Sequence, residues 1–310
     1  MRTIILGGTG FIGSALVRLF VGRGHEVVVP SRRPEKIPAV LGMGRPEARI
    51  VGAPFDGKTG AGWAEFITAD TAIVNLAGEN IAGGRWTPEL KRRIEQSRLL
   101  AGAAVMDALA RAEVRPAVLA QASAVGYYGA RGPEPVDESA LPGDTFLAHV
   151  ATAWEASTAG AEALGVRRVV LRTSMVLGPG GALAQMLPAF RLGLGGPLGS
   201  GRQMVPFIHL DDEVGAIAHL IDTPGASGPY NLAAPEAVTS RGFARALGRA
   251  LRRPAFLPAS AFALKLLLGQ MAQEILLSGV NASPARLLST GYHFRHPTLA
   301  GALEAALAAG

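Results

Sequence analysis

The chain has no cysteine, which excludes disulfides, thiolate chemistry and cysteine metal ligands. Lysine is scarce and confined to Lys36, Lys58, Lys91 and Lys265. Charged residues make up 17% of the sequence and aromatics 6%, against 49% hydrophobic residues, a balance that argues against disorder. No run of about 18 apolar residues occurs, so no membrane-spanning helix is expected. The most apolar stretch, Ala261-Phe262-Ala263-Leu264-Lys265-Leu266-Leu267-Leu268, is short and carries Lys265, which suits a buried helix. The six histidines are scattered and form no His-Glu-x-x-His pattern, so no metal centre is expected. A Gly-x-x-x-x-Gly-Lys-Ser/Thr nucleotide loop is absent too. The first apolar run begins at Ile4, which leaves no room for a signal peptide, and the expectation is a soluble cytoplasmic protein. The formal net charge is +6, with a pI near 10.1. The arginines look scattered rather than gathered among aromatics, so neither nucleic acid nor membrane is an expected partner. A basic surface favours anionic ligands such as phosphates.

What the chain does have is Gly7-Gly8-Thr9-Gly10-Phe11-Ile12-Gly13 between two apolar segments. Ile4-Ile5-Leu6 reads as a first strand, and residues 15–20 read as the first turns of a helix. Strand, glycine turn and helix together favour a dinucleotide site over a plain glycine-rich turn. Gly7 permits the tight turn, Gly10 lets a pyrophosphate approach the main chain, and Gly13 lets helix and strand pack closely. Thr9, Phe11 and Ile12 complete the set of candidate cofactor contacts in this turn.

Residues 25–29, 51–55, 71–76, 117–122 and 168–172 read as further strands, and 88–112 and 145–164 as long helices. Alternating strands and helices argue for a parallel sheet covered on both faces. After Val176 the texture changes. Residues 178–201 are rich in Gly and Pro around one helical segment at 182–192, residues 206–210 resume a strand pattern, and from Arg241 the chain is mostly helical. With 310 residues, the expected architecture is α/β. It is a Rossmann-type doubly wound parallel sheet over 1–177, with 203–233 returning to it. A smaller, mostly helical substrate-side domain takes 178–202 and 234–310.

The second strand ends Val29-Pro30-Ser31-Arg32-Arg33. An NAD-selective site would place a carboxylate there to hold the ribose 2′-hydroxyl. A hydroxyl and two guanidiniums suit a 2′-phosphate instead, so NADP(H) is the expected cofactor. Asp56, after the third strand, either accepts from the adenine amino group or closes a surface turn. Leu76, Ala77 and Gly78 end the fourth strand with small or apolar residues that let the main chain approach a ribose, and Glu79 can accept a hydroxyl hydrogen bond.

These residues resemble the extended short-chain dehydrogenase/reductase superfamily. The likeness is closest to its atypical "epimerase family" branch, which has a C-terminal domain of unknown function. Beside the glycine turn, it is carried by Asn75-Leu76-Ala77-Gly78-Glu79-Asn80-Ile81, Arg85-Trp86, Ser123-Ala124-Val125-Gly126-Tyr127-Tyr128-Gly129 and Trp154-Glu155. It continues in Arg172-Thr173-Ser174-Met175-Val176-Leu177-Gly178, Ile208-His209-Leu210-Asp211-Asp212, Ala255-Phe256-Leu257-Pro258, Arg286-Leu287-Leu288 and Gly291-Tyr292. The resemblance implies bound NADP(H), a substrate pocket roofed by the C-terminal part and, ordinarily, a Ser/Thr–Tyr–Lys active site.

That catalytic set is incomplete here. The tyrosines stand at 127, 128, 230 and 292, and none has Lys four residues later. Aligning the superfamily Glu on Glu155 puts Ala151 at the Lys position and Leu147 at the Tyr position, and neither moves a proton. Tyr127 and Arg131 have the spacing but lie in a Gly/Pro-rich loop. The remaining catalytic candidates are Ser123, at the end of the fifth strand, with Tyr127 and Tyr128 in the loop after it. One of the two tyrosines would face the pocket while the other packs. Glu155 is expected to accept from the nicotinamide ribose in place of the missing Lys. His149 is either an acid/base group or a surface histidine. Arg172 and His209 end strands, as pocket residues or structural donors. Asp211 and Asp212 are expected to cap the helix that follows them and to complement its dipole. Two functions remain open. One is an NADP(H)-binding oxidoreductase or epimerase-like enzyme acting on a small polar substrate. The other is a catalytically silent NADP(H)-binding regulator or assembly factor. Under either, the oligomeric state stays open between monomer and homodimer.

Overall fold

A computed structural model of the chain describes residues 1–41 and 49–309. Its strands are β1 Arg2–Leu6, β2 Glu26–Ser31, β3 Ile50–Pro54, β4 Thr71–Asn75, β5 Val118–Ala124, β6 Pro135–Val136, β7 Arg167–Thr173, β8 Met175–Leu177, β9 Phe207–His209, β10 Gly228–Leu232 and β11 Asn281–Ala282. The main helices are α1 Phe11–Gly22, α2 Ile37–Val40, α3 Pro88–Arg111, α4 Phe146–Ala156, α5 Gly160–Ala163, α6 Gly181–Arg191, α7 Leu210–Asp222, α8 Ser240–Leu251, α9 Ala261–Leu268, α10 Ala285–Ser289 and α11 Leu299–Ala308.

Seven strands form one parallel sheet in the order β10-β7-β5-β4-β1-β2-β3. Chain order reverses between β1 and β4, the switch point at which doubly wound sheets leave a crevice beyond the strand ends. Side chains alternate faces along each strand. Ile5, Val27 and Val29 therefore pack with Leu16 and Phe20 of α1 and Ile217 and Leu220 of α7. Ile4, Leu6 and Val28 pack on the other face with Val105 and Leu109 of α3. Burial on both sides explains why these strands are continuous apolar runs. Each such side chain stabilises the sheet by roughly 1.5–3 kcal/mol relative to leaving it exposed. A third core lies under the C-terminal helices, where Phe243 and Leu247 of α8 meet Leu299 and Leu303 of α11.

Two expectations are corrected. The helix expected over 145–164 is broken into α4 and α5. Ser157 turns its hydroxyl onto the carbonyl of Trp154 at 2.7 Å, and Gly102 of α3 makes the room, since a Cβ there would lie 2.0 Å from that hydroxyl. The apolar segment 261–268 is helical, but none of its residues is buried; Phe262, Leu266 and Leu267 stay exposed. It runs across the surface from the loop at Gly199 to the neighbourhood of Arg85, which lies close to Gly269. Among the described residues no helix is long and apolar enough to cross a membrane.

Candidate functional site

The strand ends at the switch point bring Gly7–Gly13, Ser31–Arg33 and Leu76–Glu79 to one edge of the sheet. Gly7 adopts φ +81°, and a Cβ there would press on the main chain of Leu76 at 3.0 Å. A Cβ on Gly13 would lie 2.1 Å from the Gly7 carbonyl oxygen, so this turn excludes any larger residue. Gly10 is the N-cap of α1 and offers no side chain, and the first turn holds no acidic residue. The first N–H groups of a helix have no partner within it and carry its positive dipole end, which makes this terminus a seat for an anion. Thr9 and Gly10 are exposed, while Ile12 is half-buried. The Phe11 ring does not face this seat. It lies against Gly178, Gly180 and Gly181, so what Phe11 can offer an anion is its main-chain amide.

Ser31 closes the next turn by accepting from the Arg33 amide at 3.1 Å. Arg32 and Arg33 are exposed, and no carboxylate pairs with either among the described residues. Asp56 follows β3 at the same strand ends, where the Phe55 amide donates to the Ser31 carbonyl at 3.0 Å. Its carboxylate accepts from the amides of Lys58 and Thr59, both at 2.7 Å, and from the Thr59 hydroxyl, and the Lys58 bond foremost holds its pKa below the usual range. It closes its own surface turn.

At β4, Asn75 donates to Gln121 of β5 and accepts from Ala77, which pins the Leu76–Ala77 main chain beside Gly7. Gly78 sits on Arg98, whose guanidinium donates to the Glu79 carbonyl and stacks 4.7 Å from the Trp154 ring. Burial pulls the Arg98 pKa down to about 10. Glu79 itself is exposed. Arg98 was not among the expected residues, because nothing in its local sequence announces a platform under a turn 19 residues earlier.

The ends of β5 and β7 carry a side-chain network. Ser123 donates to Glu155 Oε1 at 2.6 Å. Arg172 grips both oxygens of the same carboxylate, through Nε at 2.9 Å and Nη2 at 3.0 Å. Arg172 is 3% exposed, and its charged plane lies 3.6 Å from the centroid of the Tyr127 ring. Burial pushes the guanidinium pKa down, but the Glu155 bonds and charge outweigh this and hold it above its usual value. Glu155 is thus committed to Arg172 and Ser123, which corrects its expected role as a free ribose acceptor.

The tyrosine pair divides. Tyr128 is fully buried, its hydroxyl donating to Asn231 at 2.7 Å and accepting from Arg172 at 3.0 Å. Burial raises its pKa, so it serves as a packed strut. Tyr127 is half-buried, and its hydroxyl makes no hydrogen bond among the described residues. Arg131 donates to the carbonyls of Tyr128 and Leu141 rather than to Tyr127, so the four-residue spacing has no chemical meaning. His149 is exposed and lines a separate shallow cavity of about 390 Å³.

Asp211 and Asp212 stand in the first turn of α7, where their charges complement its dipole as expected, but neither is its cap. His209 is the N-cap, its Nδ1 accepting from the Asp211 amide at 3.1 Å. Asp212 is fully buried and accepts from the amides of Arg295 and His296 and from the Tyr292 hydroxyl, tying down the C-terminal segment. This brings His209, Asp211 and His296 within 4.8 Å of one another, a grouping that sequence spacing did not show. The His209 lone pair is used by the cap, and the cluster lies at the positive end of α7, which opposes a bound cation.

The profile described as the NAD dependent epimerase/dehydratase family matches residues 3–233, and one described as a domain of unknown function matches residues 259–306. An epimerase family protein SDR39U1 from Bos taurus is 39% identical over 313 residues, covering 99% of this chain and 100% of its own. A chloroplastic SDR39U1 homolog from Arabidopsis thaliana is 37% identical, covering 98% of this chain and 86% of its own. The crystal structure of human epimerase family protein SDR39U1 with NADPH superposes with a TM-score of 0.85 at 35% identity, covering 99% of each chain.

Proposed function

The chain belongs to the NAD-dependent epimerase/dehydratase family, and from that premise we propose that it binds NADP(H) and works as an oxidoreductase or epimerase-type enzyme of the extended short-chain dehydrogenase kind. The observation that carries this reading is the uncapped α1 terminus, walled by glycines, beside two guanidiniums that have no carboxylate partner among the described residues. The amides of Phe11, Ile12 and Gly13 would hold the diphosphate, and Arg32 and Arg33 the 2′-phosphate, with Ser31 fixing their turn. Asp56 stays in its own turn. Leu76, Ala77, Gly78 and Glu79 would flank the ribose on the Arg98 platform. Support for NADP(H) comes from the human relative solved with NADPH.

When bound, the nicotinamide would supply or accept a hydride at the substrate carbon. The protein's own part is proton handling and positioning. Ser123 has its proton on Glu155, so its lone pairs can only accept, from a substrate hydroxyl or the nicotinamide amide. Tyr127 is the hydroxyl free to donate a proton to a substrate carbonyl oxygen, or to take one back. Its ring is held by Arg172, whose charge is neutralised by Glu155. This arrangement replaces the tyrosine–lysine pair with a phenol fixed by stacking. In this reading 1–177 with 203–233 carries the cofactor, 178–202 with 234–310 closes over the substrate, and the protein works in the cytoplasm.

Calorimetry with NADPH and NADH, followed by turnover of a carbonyl and nucleotide-sugar panel at saturating cofactor, tests it. We expect binding that favours NADPH and at least one substrate whose turnover falls about 100-fold in Tyr127→Phe while NADPH affinity is kept. Failure to bind either cofactor would overturn the reading. NADPH binding without turnover across the panel would instead favour a silent cofactor-binding regulator.

A further inference from the structure

The face of α8 opposite the third core carries Arg241, Arg245 and Arg249, one helical turn apart. In the linear sequence these residues look scattered. On a helix, residues four apart share one face. Arg252 and Arg253 extend the row past the helix end, and all five are exposed. Gly248 allows the chain to double back along this face, since a Cβ there would lie 2.5 Å from the Ala255 Cβ. The returning segment brings Phe256 to the opposite wall and borders an open surface cavity of about 780 Å³ lined by all five arginines.

Among the described residues no carboxylate lies within 4.0 Å of any of the five guanidiniums. Arg241 donates to the Ser200 carbonyl at 3.3 Å and Arg253 to the Arg191 carbonyl at 3.0 Å, which fixes the two rims. Arg245, Arg249 and Arg252 make no side-chain hydrogen bond among the described residues. Like charges at four-residue spacing destabilise a helix by a few tenths of a kcal/mol per pair. Arg252 also sits at φ +53°, the sole non-glycine residue in that region among the described residues, where Gly or Asn would be unstrained. Three local preferences are therefore set aside at one place, and all three concern arginine.

We propose that this cavity is an anion site, separate from the groove at the strand ends, for a ligand bearing two or more phosphoryl groups. Guanidiniums match phosphate oxygens in bidentate pairs. Side chains four residues apart rise about 6 Å per step along a helix, so the row spans more than one phosphoryl group. The exposed Phe256 ring supplies an apolar wall, and the volume falls in the range of small-molecule sites, roughly 300–1,000 Å³. No residue of this cavity belongs to the proposed cofactor site, so the inference stands apart from that function. The phosphoryl groups can come from a soluble polyphosphate or from phospholipid headgroups, and Leu257, exposed between the lining residues Phe256 and Pro258, is compatible with the second source.

Tripolyphosphate is titrated into the protein by calorimetry with NADPH held at saturation. In parallel, co-sedimentation is measured with vesicles of equal phosphatidylglycerol and phosphatidylcholine. Saturable binding of tripolyphosphate supports a soluble ligand; binding only to the anionic vesicles supports a headgroup. Either must fall roughly tenfold or more in Arg245→Gln/Arg249→Gln and weaken with added KCl. Arg252→Gly separates folding from binding: it is expected to raise the melting temperature while lowering anion affinity. Binding that survives these substitutions, or no binding in either arm, overturns the proposal.

Discussion

Around β1 the candidate site is made of main chain, and around β5 and β7 it is made of side chains. At the first end the decisive facts are positions where a Cβ cannot exist and amides that have no partner among the described residues. At the second end they are partners drawn from α4, β7, β10 and the loop after β5, joined by ten or more residues of intervening chain at each link. A main-chain seat tolerates changes in its surroundings but not in its glycines. A side-chain network behaves oppositely: each member depends on the others being present and charged as found.

The sharpest way to break this contrast is Glu155→Ala. It leaves the buried Arg172 guanidinium without its carboxylate, and removing one partner of a buried pair costs about 3–5 kcal/mol. Urea unfolding should register that loss, and Arg172→Met on top of it should recover a large part. If the two substitutions add independently, the network is not a unit and the contrast fails.

Gly13→Ala comes next. Forcing a Cβ to within 2.1 Å of the Gly7 oxygen should cost about 3 kcal/mol of stability and remove detectable NADPH binding. Gly10→Ala sharpens the point. Its Cβ would meet only the Gly7 oxygen, at 3.2 Å, so folding should change by less than about 1 kcal/mol. The same methyl stands where the diphosphate must approach, so NADPH affinity should fall roughly tenfold by calorimetry. A Gly10 variant that binds like the parent would place the diphosphate elsewhere.

Smaller still is the expected effect at the edge of the main-chain end. Arg32→Ala/Arg33→Ala should weaken NADPH by roughly 10–100-fold while leaving NADH within about twofold. Equal losses for the two cofactors would mean that the pair does not read the 2′-phosphate.

The same contrast decides what was legible in the sequence. Strand positions and the Gly7–Gly13 turn follow from local pattern, because an apolar run and a glycine constraint act within a few residues. The break between α4 and α5 was not legible, since it depends on Gly102 admitting Ser157 from another helix. Nor was the exposure of α9, as hydrophobicity sets a preference for burial without naming what would cover it. Ser123, Tyr127 and Glu155 could be named as polar groups near the strand ends. Their bonding could not, because Arg172 and Asn231 meet them only through β7 and β10. The α8 arginines are a different case. Their four-residue period was present in the sequence, and reading it required only that the helix be combined with the charge pattern.

The last test concerns pH, to which the two ends should respond differently. Glu213, in the first turn of α7, is completely buried next to the end of β7. Oε1 accepts from the Thr173 hydroxyl at 2.7 Å, and Oε2 has no partner among the described residues. Burial pushes its pKa up to about 8, so the folded protein keeps a proton that the unfolded chain releases near 4.5. The stabilising contribution of that proton is complete below pH 4.5 and is lost as pH rises through 8, with a slope of at most about 1.4 kcal/mol per pH unit. His209 acts with the opposite sign. Burial first, then His296, lowers its pKa from 6.5, so it withdraws stability as pH falls below that value. Glu213→Gln should therefore flatten the decline between pH 5 and 8 and leave the acid side unchanged, as read by urea unfolding at stepped pH. The main-chain end has no titrating side chain in its glycine turn, so Gly10→Ala should shift the whole stability profile without changing its slope. A Glu213→Gln profile parallel to the parent's would show that this carboxyl is already ionised when buried, and that the side-chain end carries one more charge than its hydrogen bonds account for.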